Sequence, residues 1–599
     1  MLRFLKSVLK SVLVTLISFL IIVLIFIGIG VSSSMEEVEK IKENTLLEIS
    51  LSEKIIDRTS EFDFDFSSLN NESSSLGLDD VLKSIDKAKH DDNIKGIYLN
   101  IDMVNASMAT LEEIRDKLQE FKDSTDKFIL SYSEIYSQKA IYISSVSDKI
   151  YIHPEGFLEF KGISYEGMFF KEALEKLEVE PQIIRHGKFK SAVEPFMLDK
   201  MSDSNREQVQ RFISSIWEDV KLGVSEGRNL SNEELNNIAE NFLVQSAEDA
   251  VDYKLADALQ YQDQVDDSLR KKLNLESDAK IERILLKEYA SVQVSKKKKF
   301  SKDKIAVIFA QGAINSGEGD NENIGSETTS KAIRKARKDK KIKAIVLRVN
   351  SPGGSALASE TILREMELAK EVKPVVVSMG DVAASGGYYI ACKADTIVAN
   401  PTTITGSIGV FGVLMNLEKM MKNKLGITTE RVKTNQFADL ASPTRALNES
   451  ERAIIQNQVE MIYDKFITHV AEGRNMTKEE VDSIGQGRVW TGKDAVNLGL
   501  VDVLGGMEDA ISIAADMAKL ESYRITKLPI EKNPFEKIIE DLGGQVRSSI
   551  IKNELGKTYP YYQKINELIN MEKIQMRMPF SSAVQFVFMS LTQFAVRYI

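Results

Sequence analysis

Histidine and cysteine are nearly missing from this chain, which has four of the one and one of the other in 599 residues. A lone Cys392 can form no internal disulfide, and so few imidazole and thiol groups make no cluster with zinc-ligand spacing. The carboxylates are too scattered to nominate a metal, so no metal and no cofactor is expected. No GxxxxGKS/T phosphate loop occurs, which argues against ATP hydrolysis within the chain. A basic excess is missing too: 78 Lys and Arg stand against 89 Asp and Glu, and the net charge of −11 argues against a nucleic-acid partner.

What is there begins at the amino terminus. Val12 to Val31 is almost unbroken apolar sequence, long enough to span a bilayer, and Arg3, Lys6 and Lys10 precede it. Glu36, Glu37 and Glu39 follow, so the charge bias predicts the amino terminus inside and the bulk of the chain across the membrane. Ser32 to Ser34 leaves a cleaved signal peptide as the alternative. At the other end, Phe580 to Ile599 is apolar and aromatic, but Gln585, Gln593 and Arg597 argue against a second span.

A repeat accounts for the length. Lys83 to Asp102 aligns without a gap on Lys331 to Asn350, with nine of twenty pairs identical, and Glu226-Gly-Arg-Asn229 recurs as Glu472-Gly-Arg-Asn475. The expected organisation is a basic stub over 1–11, an anchor over 12–31, repeats over 46–290 and 304–520, a lysine-rich linker over 291–303 and an extension over 521–599. Within the second repeat, strands are expected at Ile305 to Phe309, Ala344 to Val349, Val375 to Ser378 and Thr396 to Val398, with a helix near Ser359 to Lys370. Near-continuous Ile and Val runs alternating with helices indicate a largely parallel sheet buried on both faces, an α/β class.

One segment stands apart because the first repeat has no counterpart to it. Residues 380–389, Gly-Asp-Val-Ala-Ala-Ser-Gly-Gly-Tyr-Tyr, set one hydroxyl among neighbours with almost no side chain. A substrate backbone can approach Ser385 closely there, and the amide of Gly386 is free to face a reacting oxygen. Ser385 reads as a nucleophile; a serine packed in a tight strand-to-helix turn is the alternative. Asp381, four residues earlier, reads as a structural cap. A serine nucleophile needs a base, and His90, His153 and His469 sit in unpromising surroundings, while His186 opens the segment His186-Gly-Lys-Phe-Lys-Ser-Ala-Val-Glu-Pro-Phe196. Lysine replaces histidine if burial favours its neutral form, at a cost of about 4 kcal/mol. Lys190, among Phe189, Ala192, Val193 and Phe196, fits better than Lys188, although a lysine so flanked often only buries its stem. Overlaying the repeats sets Ser385 on Gln138 and Lys190 near Ala438, so each half has kept one catalytic-type residue and lost the other.

Five motifs follow in order: Phe-Lys190-Ser-Ala-Val-Glu-Pro-Phe, Asn-Ser-Pro-Gly-Gly354, Gly-Asp-Val-Ala-Ala-Ser385-Gly-Gly-Tyr-Tyr, Thr-Gly-Ser407-Ile-Gly and Gly487-Arg-Val-Trp-Thr-Gly492. With them the chain resembles the long, duplicated form of the bacterial signal peptide peptidases, the protease IV family. The resemblance implies two tandem crotonase-like domains, related to the core of the Clp protease subunit, behind a transmembrane helix. It implies a Ser/Lys dyad in which Ser385 attacks a peptide carbonyl and neutral Lys190 takes its proton, later passing one to the leaving amine. It further implies backbone donors to the oxyanion from Gly354 and Gly386, with Gly353 as an alternative to Gly354, and a Ser407 that orients the lysine or merely serves a turn. The implied substrates are hydrophobic peptides, chiefly remnant signal peptides. The implied setting is a homotetramer on the periplasmic side of the bacterial inner membrane, held by a single pass.

Two rivals predict different residues. An acyl-coenzyme A enzyme of crotonase type would carry carboxylates where Ser385 and Gln138 stand, and would lack the apolar run. A non-catalytic membrane scaffold of the same fold would tolerate loss of Ser385 or Lys190, and both are present.

Overall fold

The computed structural model describes residues 41–59, 75–292, 301–320, 322–530 and 574–578, with the isolated residues 10, 14, 15 and 18. Most of the apolar run Val12 to Val31, most of the lysine-rich linker and all of Phe580 to Ile599 lie outside the described residues. Among the described residues no helix is long and apolar enough to cross a membrane.

Two parallel sheets repeat one plan. The first runs Arg283–Leu285, Thr45–Ile49, Ile94–Asn100, Phe128–Tyr136, Lys149–Leu158, Ala258–Leu259. The second carries Arg524–Leu528, Lys304–Gln311, Ile342–Ser351, Val375–Ala384, Thr396–Ala399 and Val503–Leu504 in the same order and parallel, and adds Ile404–Gly406, parallel to Val375–Ala384, with Val489–Thr491 antiparallel beside it. The Ile and Val runs form strands because helices cover both faces: Ile345, Val346, Leu347 and Val349 are all fully buried. The helices Leu78–Lys89 and Ser326–Lys338 present apolar residues three or four apart, Val81, Leu82, Ile85 and Ala88 in one and Ala332, Ile333 and Ala336 in the other.

The recurring Glu-Gly-Arg-Asn ends two long helices, Asp203–Arg228 and Glu449–Arg474. Asn229 and Asn475 are left-handed caps, each with φ of 53°. A Cβ on Gly227 would lie 2.2 Å from the carbonyl oxygen of Ser145, and one on Gly473 the same distance from that of Cys392. The repeated glycine is therefore a contact requirement, the same in both halves.

The halves are not beads on a string. Strand residues Val307, Val346 and Val376 of the second half share one apolar cluster with Ile49, Leu99 and Leu111 of the first. The helix Met108–Ser124 lies between them, with Glu112, Glu113, Arg115 and Lys117 all buried. Arg348, fully buried in a strand of the second half, meets Asp57 at 2.9 Å and Glu113 at 2.7 Å from the first. Asp381 caps the same helix, accepting from the amide of Thr110 at 2.9 Å. It is thus a cap across the two halves rather than of its own turn.

A third, mixed sheet carries the consequence for function. Its order is Asn323–Gly325, Ala313–Asn315, Gly353–Ser355, Ile574–Arg577, Phe411–Asn416, Glu180–Arg185. The last strand belongs to the first half but pairs antiparallel with the second, Arg185 opposite Phe411. The chain emerging from it reaches residue 190 already docked on the other half.

Candidate active site

Ser385 stands between the strand Val375–Ala384 and the helix Gly386–Ala391, with φ of 56° and ψ of −114°. A non-glycine residue with positive φ stores about 1–3 kcal/mol and persists only where its surroundings fix it. Here its amide donates to the Gly406 carbonyl at 2.8 Å and its carbonyl accepts from Tyr389 at 2.8 Å. The side chain caps nothing, so the hydroxyl is left for other work. The following glycines are needed: a Cβ on Gly386 would lie 2.8 Å from Ser359 Oγ, and one on Gly387 would lie 2.7 Å from the Ser351 carbonyl.

The corresponding turn of the first half ends in the helix Gln138–Ser144, whose cap is Ser137. The helix starts thus shift the sequence overlay by one residue, from Gln138 to Ser137. Ser137 has ordinary extended geometry and its hydroxyl accepts from the amide of Ala140. Two serines at like positions differ in what holds the hydroxyl: the helix's own amide for Ser137, and for Ser385 the amine of Lys190 at 2.8 Å with the Gly409 carbonyl farther off at 3.4 Å.

Lys190 Nζ lies 2.8 Å from Ser385 Oγ, 3.0 Å from Ser407 Oγ and 3.1 Å from the Ser407 carbonyl oxygen. The side chain is fully buried, with the ring of Phe411 5.9 Å from the nitrogen. Among the described residues no carboxylate pairs with it. Burial without an anion pushes its pKa well below the usual lysine value. A neutral amine has two N–H groups and one lone pair. The two oxygens of Ser407 use the N–H groups, which leaves the lone pair for the proton of Ser385.

The loop that carries Lys190 is held from both halves. The fully buried Gln208 donates to the Phe189 carbonyl at 3.1 Å and to Ser191 Oγ at 2.7 Å, and accepts from the amide of Val489 at 3.2 Å. Arg185 donates to the Lys190 carbonyl at 3.2 Å. A Cβ on Gly487, which has φ of 84°, would lie 2.6 Å from Lys190 Cβ. Ser407, also at positive φ, is placed by the hydrogen bond that its backbone amide donates to the Arg488 carbonyl at 2.6 Å. Gln208 is the residue that sequence reasoning missed, since a glutamine on a long polar helix carries no signal of burial.

The glycines assigned to the oxyanion lie together. A Cβ on Gly386 would lie 3.0 Å from the Gly354 amide nitrogen, and one on Gly353 would lie 2.6 Å from the Gly386 nitrogen. His186 is not brought to Ser385: its Nδ1 meets Glu460 at 2.5 Å and its ring stacks on Tyr463 at 3.7 Å. His469 pairs with Glu360, and His153 packs edge-on against Tyr261.

Residues 120–276 and 367–521 match the pattern of peptidase family S49. The chain is 39% identical over 482 residues to Protease 4 of Salmonella typhi, covering 79% of this chain and 77% of that one. It is 38% identical over 454 residues to Protease 4 of Haemophilus influenzae, covering 73% and 72%. It is 33% identical over 516 residues to the chloroplastic serine protease SPPA of Arabidopsis thaliana, covering 84% and 74%.

Proposed function

Because this chain belongs to peptidase family S49 and is a serine peptidase, we propose that it cuts hydrophobic peptides, cleaved signal peptides foremost, with a dyad shared between its halves. The observation that carries the reading is the 2.8 Å approach of a buried, anion-free lysine to an uncapped serine. Ser385 Oγ bonds to the peptide carbonyl carbon while its proton passes to Lys190. The amides of Gly386 and Gly354 then meet the charge that grows on the carbonyl oxygen, a contribution of about 3–4 kcal/mol per donor in comparable sites. Lys190, now charged and buried, gives its proton to the leaving amine, which breaks the C–N bond. Water, deprotonated by the again neutral Lys190, hydrolyses the ester, and Lys190 returns that proton to Ser385 Oγ. Ser407 orients the lysine throughout, because its two oxygens fix both N–H directions.

The finer setting belongs to the same proposal. Two crotonase-like repeats, 46–290 with the lysine and 304–520 with the serine, form the catalytic body as a homotetramer. Val12 to Val31 anchors it in the bacterial inner membrane, facing the periplasm, where hydrophobic peptides concentrate. The test is hydrolysis of a leucine-rich signal-peptide fragment, followed by mass spectrometry, for wild type, Ser385→Ala and Lys190→Ala. Cleavage by wild type alone supports the dyad; cleavage retained in Lys190→Ala sinks it.

A further inference from the structure

The segment that carries Ser385 ends in Tyr389, whose side chain has no part in the dyad chemistry. Its amide donates to the Ser385 carbonyl at 2.8 Å and so closes the first turn after the strained serine. Its ring is buried, tilted on Phe466 with centroids 4.8 Å apart and edge-on to His469 at 5.4 Å. Its hydroxyl donates to Glu360 Oε2. Glu360 is held in turn from the long helix Glu449–Arg474, by His469 Nε2 at 3.1 Å and by Lys465 at 2.6 Å. These partners, the His469 hydrogen bond foremost, hold the Glu360 carboxyl down at about 2, so it is an anionic acceptor at neutral pH.

Glu360 belongs to the helix Ala356–Lys370, which grows directly out of the strand Gly353–Ser355. Its neighbour Ser359 is fully buried against the nucleophile turn, where a Cβ on Gly386 would lie 2.8 Å from Ser359 Oγ. Two helices therefore meet here, one following the strand of Gly354 and the other starting at Gly386, and the bond from Tyr389 to Glu360 ties them together.

The first half keeps the backbone of this arrangement and lacks the tie. Ile141 donates to the Ser137 carbonyl at 2.9 Å, as Tyr389 does to that of Ser385, but has no hydroxyl. Glu112, the counterpart of Glu360 when the alignment of Lys83 on Lys331 is carried forward, accepts instead from the Thr402 hydroxyl at 2.8 Å. Gly223 stands as far before the cap Asn229 as His469 stands before Asn475. The tie is present in the half that holds the nucleophile and absent from the half without it.

We propose that Tyr389 and Glu360 are a positioning pair for the oxyanion donors, fixing the spacing between the amides of Gly354 and Gly386. The inference rests on the assignment of those two amides above. The pair acts through the two helices and not on the substrate itself. A donor is effective only at about 2.7–3.1 Å from the oxygen of the transition state, and a displacement of about 1 Å lowers the rate about 100-fold. The main-chain pairing that holds an extended peptide spreads over several residues and tolerates such a shift. Loosening the tie therefore lowers kcat and leaves KM in place.

The test is steady-state hydrolysis of a leucine-rich peptide by the full chain in detergent, for wild type, Tyr389→Phe, Glu360→Ala, their double variant and Glu360→Gln. Rates are expressed per Ser385 labelled at end point by a fluorophosphonate, so that misfolded chains do not count. Tyr389→Phe removes one oxygen atom and leaves the ring in place, which keeps the test open whatever Glu360→Ala does to folding. Expected are a kcat about 10-fold lower in each single variant, an unchanged KM, and a double variant no slower than either single one, because both remove the same contact. Glu360→Gln keeps an oxygen for the Tyr389 hydroxyl and should recover most of kcat. A wild-type kcat in Tyr389→Phe overturns the inference, and so does a loss carried in KM. A double variant slowed by the product of the single losses also overturns it, by showing two separate effects. In each of those cases a wild type that cuts the peptide leaves the peptidase reading standing, whereas a wild type that cuts nothing overturns both.

Discussion

Replacing Lys190 by methionine should abolish activity and stabilise the fold, and the two effects have one cause. Methionine keeps length and apolar bulk but has no charge to remove from water. In the unfolded chain lysine is protonated below about pH 10.4. In the folded protein, burial holds Lys190 well below that value. Folding therefore releases a proton, and a lysine kept neutral lowers stability by about 1.4 kcal/mol for each pH unit below about 10.4. The sign is that of a depressed lysine: wild-type stability rises with pH from the folded pKa up to about 10.4 and is flat beyond. Lys190→Met removes that slope. It also leaves the Ser407 carbonyl without its donor, an offset of about 1–3 kcal/mol that does not vary with pH. The slope is thus the diagnostic and the offset is not. Thermal unfolding of both proteins between pH 7 and 10 should show the variant gaining on wild type as pH falls. A difference independent of pH would mean that Lys190 is charged in the folded protein, and the dyad chemistry would fail with it.

Ser407→Ala removes one of two acceptors for the Lys190 amine. It should lower kcat/KM by about 10- to 100-fold, the equivalent of about 1–3 kcal/mol, without unfolding the chain. Because the lost oxygen also accepts from the charged amine, the acid limb of the pH profile should move down, and an upward shift would contradict the assignment. Gly487→Ala sets a Cβ 2.6 Å from Lys190 Cβ at a φ of 84°, so peptide hydrolysis should fall more than in Ser407→Ala while the melting midpoint drops. Arg348→Met strands Asp57 and Glu113 in the shared core, and a loss of about 3–5 kcal/mol should appear as a large drop in the unfolding midpoint.

The strands of the second half were legible because their apolar runs are long and local. Residues expected as strands at 305–309 and 344–349 lie inside Lys304–Gln311 and Ile342–Ser351, and the helix expected near 359–370 spans Ala356–Lys370. Ser385 was legible for a different reason, since only tiny neighbours allow that turn. What escaped was non-local. Arg348 in the run Ala344 to Val349 gives no hint that its carboxylates come from the other half. The pairing of Ile574–Arg577 was hidden because one of its two partners, Gly353–Ser355, has no side-chain pattern to match and both are distant in sequence. The sequence overlay set Ser385 on Gln138, whereas the helix caps pair it with Ser137, the position that the gapless Lys83-on-Lys331 alignment also gives when carried forward.

The central claim is that neutral Lys190, brought from one half, activates Ser385 of the other. Its most direct test is the pH dependence of Ser385 acylation by a fluorophosphonate, in wild type and Lys190→Ala. The account predicts a wild-type rate that rises with pH through one ionisation well below the usual lysine value, and no such step in the variant. Acylation of Lys190→Ala at the wild-type rate, or a wild-type step at the usual lysine value, would contradict it.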